Sequence, residues 1–198
     1  MATITKTAGT SLLSLQSLAS NSVVISSVAD VSTKLAATVF IHFGRRAATA
    51  ITEGVEFRVE ASSKASANGH WYPLATIKTA VAASESEAVS GTVSSGTNVI
   101  TVASTTNLVA GDVVYIDNGT IANSEWGRVK SISANTSITI EDNLVNAQTG
   151  ATIYDQAEMY AVQVDLTAVT RLRVVADGRN TGQAVAVEAD MVSGDSIG

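Results

Sequence analysis

Polarity changes residue by residue along most of this chain, which leaves few folds open to it. In VEFRVEA (55–61), Val55, Phe57 and Val59 share one side while Glu56, Arg58 and Glu60 share the other. Successive side chains of a β-strand point to opposite faces, so the pattern predicts a strand with one buried and one wet face. SVVISSV (22–28), AATVFIHF (36–43), MYAVQVDL (159–166), LRVVA (172–176) and AVAVEA (184–189) obey the same rule. WYPLATI (71–77) does too, but it holds Pro73, the one proline of the chain. Proline has no N–H for a ladder, so an edge strand or a bulge is expected there. LLSLQSL (12–18) has a mixed period and is read as a strand. The side-chain vocabulary agrees. Hydrophobic residues make up 45% of the chain but aromatics only 5%. Small and β-branched residues fill the difference, and they suit a pleated, half-buried surface.

Strand spacing divides the chain. Val99–Val102, Asp112–Ile116, Gly127–Ile132, Ser137–Ile140 and Ala151–Tyr154 are short and close, with turn signals at 110–112, 117–119, 134–135 and 149–150. Such spacing marks a small barrel or sandwich. The Ser/Gly/Ala-rich stretch AASESEAVSGTVSSG (82–96) precedes them and reads as a crossing or hinge. The strands after residue 156 are too few to hold a core alone. Added to those before residue 85, they make about eight, enough for two packed sheets. The expected fold is therefore all-β. An antiparallel, jelly-roll-like β-sandwich comes from residues 1–86 and 156–198, and residues 87–155 form a small β-barrel-like module inserted into one of its loops. Asp177-Gly178-Arg179-Asn180 is expected to make a hairpin turn between the last two strands. The polar tail 193–198 is expected to be loose.

Several function classes are disfavoured by composition. Twelve basic against 18 acidic residues give a net charge of −6. A duplex-binding protein needs a basic face for the phosphates, so no nucleic-acid partner is expected. There is no cysteine, hence no disulfide and no thiolate metal site. The segment MATITKTAGTSLLSLQSLAS has no basic stretch leading into a long apolar run, so no signal peptide is expected. No run approaches the ~18 apolar residues of a membrane helix, and no membrane partner is expected.

The search for chemistry returns little. In TNVITVASTTNLVAGDVVYID (97–117), Gly111 permits a positive φ and Asp112 can accept a local backbone N–H, which is turn chemistry. No phosphate-binding glycine loop, nucleophile elbow or calcium loop is present. The two histidines, His42 and His70, have no second ligand nearby in sequence, so neither a metal nor a cofactor is expected. Asp117, Glu125, Glu141 and Asp142 could gather at one end of the inserted module, and rim charges that keep strand ends soluble are the simpler account. The basic doublet Arg45-Arg46 could grip a carboxylate or phosphate on a neighbouring subunit, and a strand-end charge pair in a loop is the simpler account. Trp71, Tyr72 and Trp126 are candidate interface anchors or, if exposed, a sugar-stacking platform. These five are the candidate interface residues, and no catalytic residue is assigned.

The segments Ile100–Thr105, Leu108–Ile116, Arg128–Ile132 and Ile138–Thr139–Ile140 together resemble a small β-module found in virion proteins of tailed bacteriophages and in bacterial surface proteins. Val55–Ala61 followed by His70-Trp71-Tyr72-Pro73-Leu74-Ala75 is similar to phage structural proteins. The resemblance implies a capsid decoration (head auxiliary) protein. It would be a non-enzymatic virion component, bound in many copies to the major capsid protein or another virion protein, and a homo-oligomer. The N-terminal arm, residues 1–9, could lie across a neighbour. A carbohydrate- or receptor-binding module of a phage tail or a surface adhesin is the alternative. The loops 118–125 and 143–150 are the expected outer contact points.

Overall fold

The computed structural model describes residues 6–66 and 70–195. The described residues are strand and turn, apart from one 3-10 turn at Ile121–Asn123. In chain order the strands are β1 (Lys6–Leu18), β2 (Val23–Ile25), β3 (Ala29–Asp30), β4 (Lys34–Arg45), β5 (Glu56–Ser62), β6 (Tyr72–Lys78), β7 (Ser86–Ala88), β8 (Thr92–Val93) and β9 (Val99–Thr101). They continue as β10 (Val113–Asp117), β11 (Glu125–Ser133), β12 (Ser137–Ile140), β13 (Gln148–Thr149), β14 (Thr152–Tyr154), β15 (Ala157–Asp165), β16 (Arg171–Asp177) and β17 (Val185–Asp195). All the pairings are antiparallel.

Two sheets come from the outer parts of the chain. One has the order β1-β17-β4-β15, the other β2-β16-β5-β6, with β3 also paired to β16. Their inner faces share one core. Val39, Ile41, Phe43, Val185, Val187 and Ala189 come from the first sheet, and Phe57, Val59, Leu172, Val174 and Ala176 from the second. The alternation of VEFRVEA is thus used as expected, since Phe57 and Val59 enter this core. Its polar side carries an ionic ladder. Arg58 binds Glu56 at 2.9 Å and Glu60 at 3.2 Å, Arg173 binds Glu60 at 2.7 Å, and Arg179 binds Glu56 at 2.7 Å.

The mixed period of LLSLQSL has a physical cause. Leu12 and Leu13 are both buried, and β1 slips register against β17 between Ser11 and Leu13 and again between Leu13 and Gln16. Bulges let neighbouring residues face the same core. Pro73 shows both expected features, because β6 is an edge strand and its register with β5 shifts between Val59 and Glu60.

Residues 86–154 form a third sheet, β7-β14-β10-β11-β12-β9, and the short pair β13–β8. The long sheet curls until its two edges meet at a bridge between Val89 and Val102. It encloses its own core of Ile100, Val114, Ile116, Ile138, Ile140 and Ile153. The turn at Gly111 forms as read: its φ is +102°, and Asp112 Oδ2 accepts the Val109 N–H at 2.7 Å. The segment 82–96 is more structured than a hinge, since it contains β7 and β8. The chain leaves for and returns from this region through one clasp. Asp155 Oδ1 accepts Ser84 Oγ–H at 3.0 Å and Glu85 N–H at 2.8 Å.

Two expectations at the end of the chain are corrected. The segment 177–180 is no hairpin, because β16 and β17 lie in different sheets. It crosses between them alongside the β1–β2 connection: Gly178 N–H donates to Ser22 O, and Asn21 N–H to Arg179 O. β17 finds its partners in β1 and β4, whose faces match its Val/Ala side. Nor is the tail loose through residue 195. Ser193 and Gly194 pair with β1 and β4, and Asp195 binds Lys34. Residues 196–198 lie outside the described residues. So does 1–5 of the arm expected to cross a neighbour, while Lys6 and Thr7 pair with β17 of their own chain.

Candidate functional site at the junction of the two cores

The second core sits on the outer face of the β1-β17-β4-β15 sheet. Gly44 on β4, Ala157 on β15 and Ala186 on β17 lie side by side there, because Gly44 pairs with both of the others. This near-absence of side chains lets Tyr115 of β10 lie flat on the sheet. A Cβ on Gly44 would stand 2.7 Å from Tyr115 Cβ and 2.8 Å from Cδ2. Glycine is needed for this close approach. Tyr115 is fully buried, and burial pushes its phenol up to about 12.

Trp126 of β11, directly opposite Tyr115, completes the contact. Its indole Nε1–H donates to Phe43 O at 3.0 Å, and its ring lies 5.0 Å from Tyr115 and 5.3 Å from His42. Beside it Arg46 grips Asp117 with two donors, Nε at 2.9 Å and Nη2 at 3.3 Å. The bond to Asp117 raises the Arg46 pKa. Asp117 also accepts the Gly119 N–H at 3.0 Å and the Ser124 hydroxyl at 3.4 Å.

The candidate residues therefore fall into two groups. Arg46 and Trp126 do make an interface, but between the two cores of one chain. Arg45 is fully buried and donates to the Ala82 and Thr49 carbonyls, so it cannot reach a neighbouring subunit. Trp71 stands apart on the ionic face, with the guanidinium groups of Arg173 and Arg171 at 4.2 and 5.0 Å from its ring centre. Tyr72 is the open one, 59% exposed. The four module carboxylates do not converge. Asp117 serves Arg46, Glu125 accepts the Val145 and Asn146 N–H groups at 2.8 Å, Glu141 approaches Arg128, and Asp142 is exposed.

Of the two expected contact loops, 118–125 packs Ile121 into the junction cluster beside Leu15 and Tyr115 while Gly119, Thr120, Ala122 and Asn123 are exposed. Loop 143–150 does reach solvent, and Val145 at its tip is 79% exposed. Two further residues at the junction escaped sequence reasoning. Glu188 lies opposite His42 across the β4–β17 pair, with His42 Nδ1 and Glu188 Oε2 3.3 Å apart, and Asp190 is two positions on along the same face. The only sequence signal for them is the spacing of two acids at i and i+2 in AVAVEAD.

Beyond this junction the same sheet face is open. Phe40 and Met159 are 37% and 39% exposed. A shallow groove at its far end is lined by Leu35, Phe40 and Val192 together with Lys6, Gln163 and Asp165. No protein-family model matches the chain, and no curated protein matches it. No helix among the described residues is long and apolar enough to cross a membrane.

Proposed function

We propose that this protein is a non-enzymatic structural component of a phage particle. It binds the capsid surface in many copies as a decoration or cement protein, and it docks through the open half of the β1-β17-β4-β15 face. The observation that carries this reading is the difference between the two outer faces. The β2-β16-β5-β6 face is laced by ion pairs on its central strands and exposes Val23, Ile25 and Leu74 on its edge strands, whereas the other, beyond the inserted module, presents Phe40 of the central strand β4 together with Met159 of β15 to solvent. An apolar face without an internal partner is suited to burial against another protein, repeated across many copies.

The architecture is read as a jelly-roll sandwich of residues 1–86 and 156–198 carrying an inserted barrel-like module of residues 87–155. Strand order supports this. Leaving out β3, the outer strands run first-eighth-third-sixth in one sheet and second-seventh-fourth-fifth in the other. That is the nesting produced by two interlocked Greek keys. The separate cores of the outer strands and of residues 89–153 support the division. The glycan-binding alternative has less support, because the Trp126 ring lies against Tyr115 and His42 and the Trp71 ring lies beneath two arginines.

The test is quantitative mass spectrometry of purified particles, followed by imaging of the protein's position. Many copies per particle on the shell are expected. Phe40→Ser with Met159→Ser should abolish attachment to shells lacking the protein while leaving the far-UV circular dichroism unchanged. Particles devoid of the protein would refute the assignment.

A further inference from the structure

We propose that His42, Glu188 and Asp190 form a binding site for a divalent transition-metal ion, zinc in the first instance. The three residues belong to two paired strands, β4 and β17, so the backbone itself sets their spacing. One ligand atom from each lies within 4.8 Å of the other two, and His42 Nδ1 is already 3.3 Å from Glu188 Oε2. Tetrahedral zinc with bonds of about 2.1 Å separates its ligand atoms by roughly 3.4 Å. The closest pair meets that spacing now, and the third ligand lies within 4.8 Å of both.

The donor set suits the ion. One imidazole nitrogen and two carboxylates are borderline-hard ligands, which zinc and its neighbours in the first transition row accept. Two carboxylates on one half-buried patch repel each other. Among the described residues no lysine or arginine pairs with either carboxylate, so the charge is met only by His42 and by a hydrogen bond between Ser11 and Asp190. The three ligands are half-buried, so water can reach the remaining coordination positions.

The site has a built-in reporter. The Trp126 ring lies 5.3 Å from the His42 ring, tilted by 34°, which places an indole beside the bound ion. A paramagnetic ion such as Co²⁺ bound there should quench Trp126 strongly. Trp71, on the opposite sheet's outer face, is the only other tryptophan and should be little affected.

The experiment titrates full-length, chelator-dialysed protein with ZnCl₂ by calorimetry and with CoCl₂ by tryptophan fluorescence. One ion per chain is expected, together with Co²⁺ quenching that disappears in Trp126→Phe while Zn²⁺ binding persists. Glu188→Gln and Asp190→Asn preserve side-chain shape, and each should weaken Zn²⁺ binding at least about tenfold. His70→Ala, which alters the other, exposed histidine, should leave it within about twofold. Absence of saturable Zn²⁺ binding below about 1 mM overturns the proposal. So does binding that survives the Glu188→Gln/Asp190→Asn pair, or binding without any effect on Trp126 emission.

Discussion

Replacing Gly44 with alanine tests the junction most directly. The added methyl carbon would sit 2.7–2.8 Å from two Tyr115 carbons and closer still to Cγ. Relaxed carbon contacts are about 3.5–4.0 Å, so something must move by roughly 1 Å. Tyr115 cannot yield alone, because its strand is hydrogen-bonded on both sides, to β11 and to β14. The second core would have to lift from the sheet, stretching the Trp126–Phe43 and Arg46–Asp117 bonds. Overpacking costs about 1–3 kcal/mol. The better strand propensity of alanine returns about 0.5–1 kcal/mol. A net loss of about 1 kcal/mol follows, or a Tm lower by roughly 2–4 °C for a chain of this size. A double-mutant cycle sharpens the test. Tyr115→Ala alone should cost about 3–5 kcal/mol by leaving a cavity. In the double variant the clash disappears, so the combined loss should fall short of the sum by about 1–3 kcal/mol. Strict additivity, or a Gly44→Ala protein with unchanged Tm, would refute the close-approach argument.

Asp117→Ala should lower the urea midpoint more than Arg46→Ala does, since Asp117 also serves Gly119 and Ser124; each loss should lie near about 1–3 kcal/mol. Glu56 is held below its ordinary 4.5, first by the Arg58 hydrogen bond and then by the charge of Arg179. A depressed folded-state pKa adds stability that is present above 4.5 and lost as pH falls through the lower folded value. Glu56→Gln should therefore flatten the acid side of a stability–pH curve, and an unchanged slope would count against the ladder's role. Arg173→Ala should uncover Trp71 and shift its emission to longer wavelength, with a stability loss of about 1 kcal/mol measurable by denaturant titration.

The strands were largely legible because period-two alternation is a local signal. Val55, Phe57 and Val59 announce their face without reference to any other part of the chain. Sheet membership was not legible. Asp177–Asn180 has the composition of a hairpin turn, yet the partners that decide where β17 goes are β1 and β4, more than a hundred residues away. The junction was half legible. The doublet Arg45-Arg46 and Trp126 stood out by type, but alternation past Phe43 sends Arg45 inward and Arg46 outward, and only the second can meet Asp117. His42 looked isolated because its neighbours in space, Glu188 and Asp190, are supplied by the last strand.

The clasp at Asp155 has a kinetic meaning. Ser84 and Asp155 are 71 residues apart, and β6 and β15 lie on either side of that excursion. Closing a loop costs about 0.6 kcal/mol for each doubling of its length. Once the curled sheet between them has folded, the chain's effective gap shrinks to a few residues and about 2 kcal/mol of that closure cost is removed. The excursion, once folded, acts as a staple that holds the fifth and sixth outer strands near one another.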